Sequence, residues 1–300
     1  MSNIKQQLGS GALSGFASTV FLQPFDLLKT RIQQGDGTLV KRNTATLFQT
    51  SRQIVASQGL AGLWRGTNAS LIRNVPGISL YLTGLTQLRT AMAGSAYFSA
   101  SGRTESARNT SVLPKLSSQG NLIAGASTRV TVGFLLNPFS VLKARYESNM
   151  YSYTSLSSAF LSIARSGPTE LFRGFLASSL RDAPYAGLFV VVYEAVKKHS
   201  AYAFPPRSDA QSTFIHTMSG AAAGAVATVS THPFDVIKTK VQVRTESRYH
   251  GFSRTARTIW DQRGIAGFFD GASLRLSRKV LSSAIGWAVY ESVLVFMRTL

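Results

Sequence analysis

Charged side chains recur at a fixed spacing in three similar stretches of the sequence. The stretches read QPFDLLKTRIQQ at 23–34, NPFSVLKARYES at 137–148 and HPFDVIKTKVQV at 232–243. In the first and third, an aspartate and a lysine three residues apart share one face of a helix: Asp26 with Lys29, and Asp235 with Lys238. Because a charge that faces lipid is costly, we expect these faces to turn inward, where charges on different helices can pair. Three such helices would form a closable plug of ion pairs.

A second candidate site consists of two adjacent opposite charges, Arg181 and Asp182. Neighbouring residues on a helix point about 100° apart, so both side chains can reach one side of a cavity. The guanidinium offers a planar fork to a carboxylate, and the aspartate accepts hydrogen bonds from an ammonium group. The pair complements a zwitterion such as an α-amino acid, whereas a nucleotide or a polycarboxylate would gain nothing from the acid. The alternative is an ion pair with a purely structural role.

The corresponding places in the other two copies of the pattern are more basic. They hold Arg73 and Asn74 in the first copy, and Arg278 and Lys279 in the third. We interpret Arg73, Asn74 and Arg278 as further substrate-binding candidates. For Arg73 and Arg278, the alternative is a gate or a lipid contact. Arg129 interrupts a helical segment rich in small residues, and it either anchors that helix or places a charge in the cavity.

The elements that position these residues belong to three repeated units. The prolines of the three stretches, Pro24, Pro138 and Pro233, are roughly 100 residues apart, which is the sign of an internal repeat. A second motif follows each of them: GLAGLWRG ends at Gly66, GPTELFRG at Gly174 and GIAGFFDG at Gly271. We divide the chain into a first repeat at 1–94, a Ser-rich flexible loop at 95–118, a second repeat at 119–200 and a third at 201–300.

Each unit is expected to contain two long helices joined by a short amphipathic one. The first long helix is predicted at 8–33, 121–147 and 216–242, the short helix at 45–57, 154–165 and 252–263, and the second long helix at 68–91, 175–198 and 272–297. A proline inside the first long helix removes a hydrogen bond and kinks it. Six helices that are apolar outside and polar on one stripe are typical of a membrane protein with a wet interior.

Composition restricts the class of protein further. The formal net charge is +19, hydrophobic residues make up 44% of the chain and the mean hydropathy is +0.07. This balance suits a membrane protein that meets anionic lipids, or a nucleic-acid-binding protein, but the basic residues follow the repeat rather than form a patch. Cysteine is absent, so no disulfide or thiol chemistry is possible, and we predict no metal, cofactor or enzymatic activity. The first residues resemble no cleavable presequence, so we expect targeting information to be internal.

These motifs resemble those of the mitochondrial carrier family. The signature P-x-D/E-x-x-K/R-x-K/R and the later G-x-x-x-x-aromatic-K/R-G motif occur, with substitutions, in all three units and cover nearly the whole chain. The resemblance implies an all-α membrane protein with six transmembrane helices in a three-fold pseudosymmetric barrel, and short amphipathic helices on the matrix side. It also implies the mitochondrial inner membrane, a monomer, and alternating access to one central site between two gates.

Carried over to this sequence, the resemblance implies a matrix gate that pairs Asp26 with Lys143 and Asp235 with Lys29. Ser140 replaces the acid of the second unit, so Lys238 is expected to lack a charged partner. The family places a bracing glutamine after each gate motif. Gln33 and Gln242 occupy this position in units one and three, and Glu147 replaces the glutamine in unit two.

The implied cytoplasmic gate is less complete. Unit two has Tyr193, Glu194 and Lys197; unit three has Tyr290 and Glu291, with Leu294 in place of the base; unit one keeps only Arg89. In the family's pairing order, one ion pair survives, between Glu291 and Arg89. Fewer ion pairs predict a lower free-energy cost of opening on that side.

Two further implications concern ligands. In the family, cardiolipin binds at turns where lipid phosphates meet helix N-termini. The corresponding turns here are Trp64-Arg65-Gly66 and Phe172-Arg173-Gly174, whereas Asp270 breaks the pattern in unit three. An arginine followed by an acid at 181–182 is similar to the amino-acid and carnitine carriers. The stretches NPFSVLKARYES and RDAPYAGLFVVVYE look like those of the glycine-carrying branch of the family. That branch supplies glycine to the matrix for 5-aminolevulinate and haem synthesis. The alternatives are a carrier of another amino acid or acylcarnitine, and a membrane scaffold that has lost transport.

Overall fold

The computed structural model describes residues 2–35, 44–95, 117–203, 209–282 and 284–285. These residues form helices joined by turns and loops, and they include no strand. Its helices are α1 (Ser2–Gln33), α2 (Thr44–Gln58), α3 (Thr67–Ala93), α4 (Ser118–Leu135), α5 (Asn137–Glu147), α6 (Leu156–Arg165), α7 (Pro168–Leu171), α8 (Phe175–Ala203), α9 (Asp209–Ser230), α10 (His232–Val243), α11 (Phe252–Gly267) and α12 (272–282). Most of the Ser-rich loop lies outside the described residues. The predicted order of long, short and long helices is observed in units one and two; in unit three, helix α12 follows the short helix and is described over 272–282, so its predicted length stays a prediction.

The repeated proline has different local effects in the three units. In units two and three the first long helix is divided, with a break at Leu136 or Thr231, and the proline lies in the first turn of the next helix. A proline is tolerated there because the first-turn N–H groups have no partner within the helix. In unit one, α1 continues through Pro24. The sequence therefore predicted the interruption in units two and three, but helix α1 is continuous.

The long helices contact one another in sequence order. α3 packs against α1 and α4, α8 packs against α4 and α9, and α10 contacts α1. A hydrogen bond of 2.9 Å between the hydroxyls of Ser18 and Ser282 joins α1 to α12. The helices consequently surround a common interior.

Large apolar side chains face outward and polar side chains are buried. Phe21 and Val191 are more than half exposed, whereas Gln23 and Gln33 are fully buried. By length and composition, the segment Pro168–Ser200 could cross a membrane, with a mean hydropathy of 1.2, and it alone meets that test in the part of the chain described. A helix with a polar inner stripe has a lower mean hydropathy than one that is apolar all round, which explains this weak signal.

A side chain that precedes each repeated proline fastens the two long helices of its own unit together. Each of these side chains donates a hydrogen bond to a backbone carbonyl of the second motif: Gln23 Nε2 to Arg65 O at 3.1 Å, Asn137 Nδ2 to Arg173 O at 3.3 Å, and His232 Nε2 to Asp270 O at 3.0 Å. The next residue is in each case the glycine that ends the motif, with φ of 92°, 72° and 77° at Gly66, Gly174 and Gly271. Only glycine adopts this left-handed backbone without strain, so it allows the turn into the second long helix. We call these three contacts the proline clamps.

The proline clamps predict a specific loss of stability. Asn137→Ala should lower the free energy of unfolding by about 1–3 kcal/mol, because the carbonyls of Leu171 and Arg173 would lose their shared donor. Unfolding can be followed by intrinsic tryptophan fluorescence, since the chain has no cysteine for a thiol-reactive dye. Asn68→Ala is the matched control, because Asn68 is exposed and its replacement should change the melting temperature little. Equal melting temperatures for the two variants would contradict the clamp.

Candidate functional site

The interior of the helix ring contains two adjoining cavities of about 600 and 380 Å³. Side chains from α1, α3, α4, α5, α8, α9, α10 and α12 line them. The residues shared by both cavities are Arg73, Asn74, Arg129, Ser140, Asp182, Lys238 and Arg278. This lining is polar, with more cations than anions, and it favours a ligand that carries a carboxylate.

One end of the interior is closed by two buried carboxylates, each of which is shared between two cations. Lys143 Nζ lies 2.7 Å from Asp26 Oδ2, and Arg278 Nε contacts the other oxygen of the same carboxylate. These contacts join α1, α5 and α12. The Asp26–Lys143 pair is the one expected from the resemblance. The contact of Arg278 with Asp26 corresponds to the gate contact that was the alternative to its role as a substrate-binding candidate.

The second shared carboxylate is that of Asp235 on α10. Lys29 Nζ contacts one oxygen, and Arg181 Nη1 lies 2.9 Å from the other. These ion pairs join α10 to α1 and to α8. The Asp235–Lys29 pair was expected, and the contact with Arg181 was not.

Arg181 and Asp182 form a two-pronged ion pair on the surface of the interior. Arg181 Nε and Nη2 lie 2.8 Å and 3.0 Å from the two carboxylate oxygens of Asp182. Both residues line the smaller cavity. The adjacent charges thus form the local ion pair that was the structural alternative, yet they also border the cavity, where a ligand could reach them.

Lys238 is buried and lines both cavities. No carboxylate of the described residues lies within ion-pair distance of it. Ser140, which stands where the other units have an acid, is on the same cavity wall. The sequence indicated that Lys238 would lack the acid replaced by Ser140, and the described residues provide it with no carboxylate partner.

The other substrate-binding candidates are also found at the cavities. Arg73 Nη1 donates to Asn74 at 3.3 Å, and Asn74 Nδ2 donates to Thr19 at 3.2 Å. Arg129 stacks over the Tyr81 ring at 4.7 Å from its centroid. Arg129 was expected either to anchor its helix or to place a charge in the cavity. Its side chain borders both cavities, which agrees with the second interpretation.

Two of the three bracing positions donate hydrogen bonds to the turns of the second motif. Gln33 Nε2 donates to Asp270 O at 3.2 Å, and Gln242 Nε2 donates to Arg173 O at 3.2 Å. Glu147 instead accepts hydrogen bonds from Gln23 at 2.9 Å and Thr30 at 2.8 Å. The acid in unit two is accommodated because these two donors face it.

At the opposite end of the ring, the described residues form fewer charged contacts. The hydroxyl of Tyr193 lies 2.7 Å from Nδ1 of His216, which joins α8 to α9. Glu194 and Lys197 are exposed, and neither forms an ion pair with a described residue. Nε of Arg89 is buried without a hydrogen-bond partner. Tyr290 and Glu291 lie outside the described residues, so the expected Glu291–Arg89 pair stays a prediction.

The two expected lipid turns have different surroundings. Trp64, Arg65 and Gly66 line a lateral groove of about 900 Å³ between the first and second units. The guanidinium of Arg173 has partners within the protein: it forms an ion pair with Glu170 at 3.1 Å and donates a hydrogen bond to Arg244 O at 2.9 Å. Phe172 stacks on Phe134, with ring centroids 4.7 Å apart. An anionic headgroup has better access to the turn that contains Arg65.

Sequence reasoning missed the polar network around Glu170. Glu170 pairs with Arg145 as well as Arg173, and Arg145 Nε also donates to Gln242 O at 3.0 Å. Tyr151 belongs to this network because its hydroxyl donates to Val243 O at 2.9 Å. Burial raises the pKa of Tyr151 above its ordinary value, which keeps the hydroxyl protonated as a donor. The proline clamps were also missed, although a polar residue before each proline could have indicated them.

A ring of helices that is apolar outside, with ion pairs closing one end of a polar cavity, is the arrangement of a membrane carrier. Within the described ranges, no group of three acidic, histidine or cysteine side chains could hold a metal ion. The family model for mitochondrial carrier proteins matches residues 2–96, 114–202 and 209–299. The chain belongs to the mitochondrial carrier family, whose members are all-α proteins of the mitochondrial inner membrane.

Curated relatives are similar over nearly the whole length. A mitochondrial glycine transporter of Laccaria bicolor is 65% identical, over 100% of this chain and 99% of the relative. Mitochondrial glycine transporters of Coccidioides immitis and Emericella nidulans are 42% and 41% identical, over 96% of this chain and 88% and 87% of their own lengths.

The missing third acid yields a prediction about the gate. Ser140→Asp should raise the melting temperature by about 2–4 °C, because it gives the buried ammonium of Lys238 a partner. It should also slow substrate uptake into liposomes, since an additional ion pair must break when this end opens. Ser140→Asn has similar size and no charge, and should do neither. A melting temperature of Ser140→Asp at or below that of Ser140→Asn would contradict the charge gap.

Proposed function

We propose that this protein carries glycine across the mitochondrial inner membrane into the matrix by alternating access. The observation that carries the proposal is the Arg181–Asp182 pair at the wall of the cavity, which offers one site for a carboxylate and one for an ammonium group. The glycine-transporting relatives support the choice of the smallest amino acid. In the matrix, glycine would serve 5-aminolevulinate and haem synthesis.

We propose six transmembrane segments that form a three-fold pseudosymmetric barrel: α1, α3, α4 with α5, α8, α9 with α10, and the helix that begins at 272. The helices α2, α6 and α11 would lie at the matrix surface. The repeated contact of the proline clamps supports this arrangement, because each clamp joins the same two positions of its unit. A single chain encloses the interior, so transport requires no second copy, and we propose a monomer.

The shared carboxylates indicate how binding would be coupled to opening. Arg181 donates to both Asp182 and Asp235, so the substrate site and the proposed matrix gate share one guanidinium. A zwitterion that binds Arg181 through its carboxylate and Asp182 through its ammonium group would compete with Asp235. Asp235 would then keep Lys29 as its remaining ion-pair partner in this network, and the matrix end would open at a lower free-energy cost. The ion pair between Arg278 of the third unit and Asp26 of the first unit would couple a substrate-binding candidate to the gate in a similar way.

The opposite end would form the cytoplasmic gate, with Tyr193, Glu194, Lys197, Arg89, Tyr290 and Glu291. The hydrogen bond between Tyr193 and His216 supports a contact between α8 and α9 at this end. Glycine is net neutral near pH 7, so its entry by itself moves no charge and needs no bound cofactor.

The substrate site predicts a defined loss of selectivity. Asp182→Asn in liposomes should reduce the kcat/KM of glycine uptake by about 10- to 100-fold, because a hydrogen bond to a charged ammonium contributes about 1.5–3 kcal/mol. Asp261→Asn is the control, because Asp261 is exposed and distant from the cavity. Faster uptake of ornithine or carnitine than of glycine by the unmodified protein would reject glycine as the substrate. Unchanged glycine uptake by Asp182→Asn would reject the proposed site.

We also propose that cardiolipin binds in the lateral groove through the turn Trp64-Arg65-Gly66. Trp64 Nε1 donates to Val20 O at 2.9 Å and Arg65 stacks 5.3 Å from the centroid of Tyr146, so both side chains are held at the groove. The turn Phe172-Arg173-Gly174 would be a weaker site, because Glu170 competes for Arg173.

The lipid site predicts how stability depends on lipid. Cardiolipin should raise the melting temperature of the purified protein, and Arg65→Gln should lose a large part of this increase because a phosphate contact is removed. Arg165→Gln makes the same change of charge at an exposed position on α6 and should retain it. An equal response of the two variants to cardiolipin would show that the groove is not the binding site.

A further inference from the structure

A basic side chain seven residues after each repeated proline marks the end of the first long helix of each unit: Arg31, Arg145 and Lys240. In units two and three this cation has partners within the protein. Arg145 pairs with Glu170 and donates to Gln242 O. Lys240 donates to Gly35 O and lies 5.4 Å from the centroid of Tyr249. These partners lie in other segments of the chain, so the cations at 145 and 240 help to tie the units together.

Arg31 differs from both equivalent residues. Its Nε and Nη2 atoms are shielded from solvent and have no hydrogen-bond partner. No ion pair with a carboxylate is present for Arg31 in the described residues. Because a guanidinium with buried, unsatisfied donors is costly, the absence of an internal partner calls for a physical explanation.

Arg31 lines a polar cavity of about 300 Å³ between α1 and α2. The cavity is also lined by Gln34, Gln53, Ser57, Gln58 and Asn149. These side chains are neutral hydrogen-bonding groups, and amides and hydroxyls can donate to an anion. The cavity is distinct from the central interior, because none of the residues named here borders the two central cavities.

The charges that surround Arg31 favour an anion in this cavity. Arg65 repels Arg31, whereas Glu147 attracts it. The carboxylate of Glu147 is engaged by Gln23, Thr30 and Lys143, and it does not line the cavity. The C-terminal end of α1 partly compensates a cation, but it provides no acceptor for the two unpartnered nitrogens.

We propose that this cavity is a binding site for an oxyanion of the phosphate class, with Arg31 as its anchor. The guanidinium would donate two hydrogen bonds to phosphate oxygens, and the amides of Gln53 and Gln58 would donate to others. Free inorganic phosphate and the phosphate of a lipid headgroup share this chemistry. The site is separate from the proposed glycine site, and its occupancy is measured by binding rather than by transport.

The test titrates inorganic phosphate, at constant ionic strength in chloride, into the purified full-length chain in phosphatidylcholine nanodiscs. Phosphate should raise the melting temperature in a saturable way, and equilibrium dialysis with labelled phosphate should give the affinity. Arg31→Gln should weaken phosphate binding by about tenfold or more, because a charge-assisted contact is lost. Arg52→Gln is the matched control, since Arg52 is exposed on the neighbouring helix α2 and its replacement should leave binding unchanged.

A second variant keeps the proposal testable if Arg31→Gln does not fold. Gln58→Glu places a carboxylate in the cavity, so it should raise the melting temperature in chloride and abolish the response to phosphate. Repeating the series in nanodiscs that contain cardiolipin distinguishes the two sources of phosphate. A lipid occupant would stabilise the unmodified protein and Arg52→Gln more than Arg31→Gln, with little effect of free phosphate. Responses of Gln58→Glu to free phosphate and to cardiolipin that equal those of the unmodified protein would overturn the proposal.

Discussion

The structure depends on two buried carboxylates, each shared between a lysine and an arginine of different helices. Asp26 and Asp235 together link α1, α5, α8, α10 and α12. Removing one partner of a buried ion pair costs about 3–5 kcal/mol, because the remaining charge has lost its hydration without compensation. The free energy that closes this end of the interior is therefore concentrated in a few contacts, and a ligand that competes for one cation can change it. A plug of apolar side chains would offer no such control by a small zwitterion.

The same constraint explains why the three units have diverged within one backbone pattern. The proline clamps and glycine turns repeat in every unit, since they fix the path of the backbone. The charges do not repeat. Ser140 leaves Lys238 without an ion pair among the described residues, and Glu147 replaces a bracing glutamine because two donors from α1 face it. The contacts that fix the backbone thus repeat from unit to unit, whereas the charges that line the cavity do not.

Much of the candidate site could be predicted from the sequence, but the partners of its arginines could not. The contacts of Asp26 with Lys143 and of Asp235 with Lys29 follow from the repeated motif and its resemblance to a known family. Arg181 was expected to face a substrate or to pair with Asp182, yet it also contacts Asp235, and Arg278 contacts Asp26. Their long side chains reach across helices, and the helix packing sets how far apart the two groups lie. The spacing of residues within one unit of the sequence does not determine this distance between side chains of different helices.

By itself, the sequence determined the three-fold repeat, the order of long and short helices, and the position of the missing acid, because periodicity and residue type are local properties. Only the tertiary structure decided that α1 continues through Pro24 while the corresponding helices of the other units divide. The tertiary structure alone also decided that Arg145 forms an ion pair, whereas Arg31 has no carboxylate partner among the described residues. The reason is that similar stretches pack against different neighbours, and a buried charge is stabilised or left unpaired by the groups that other helices bring to it.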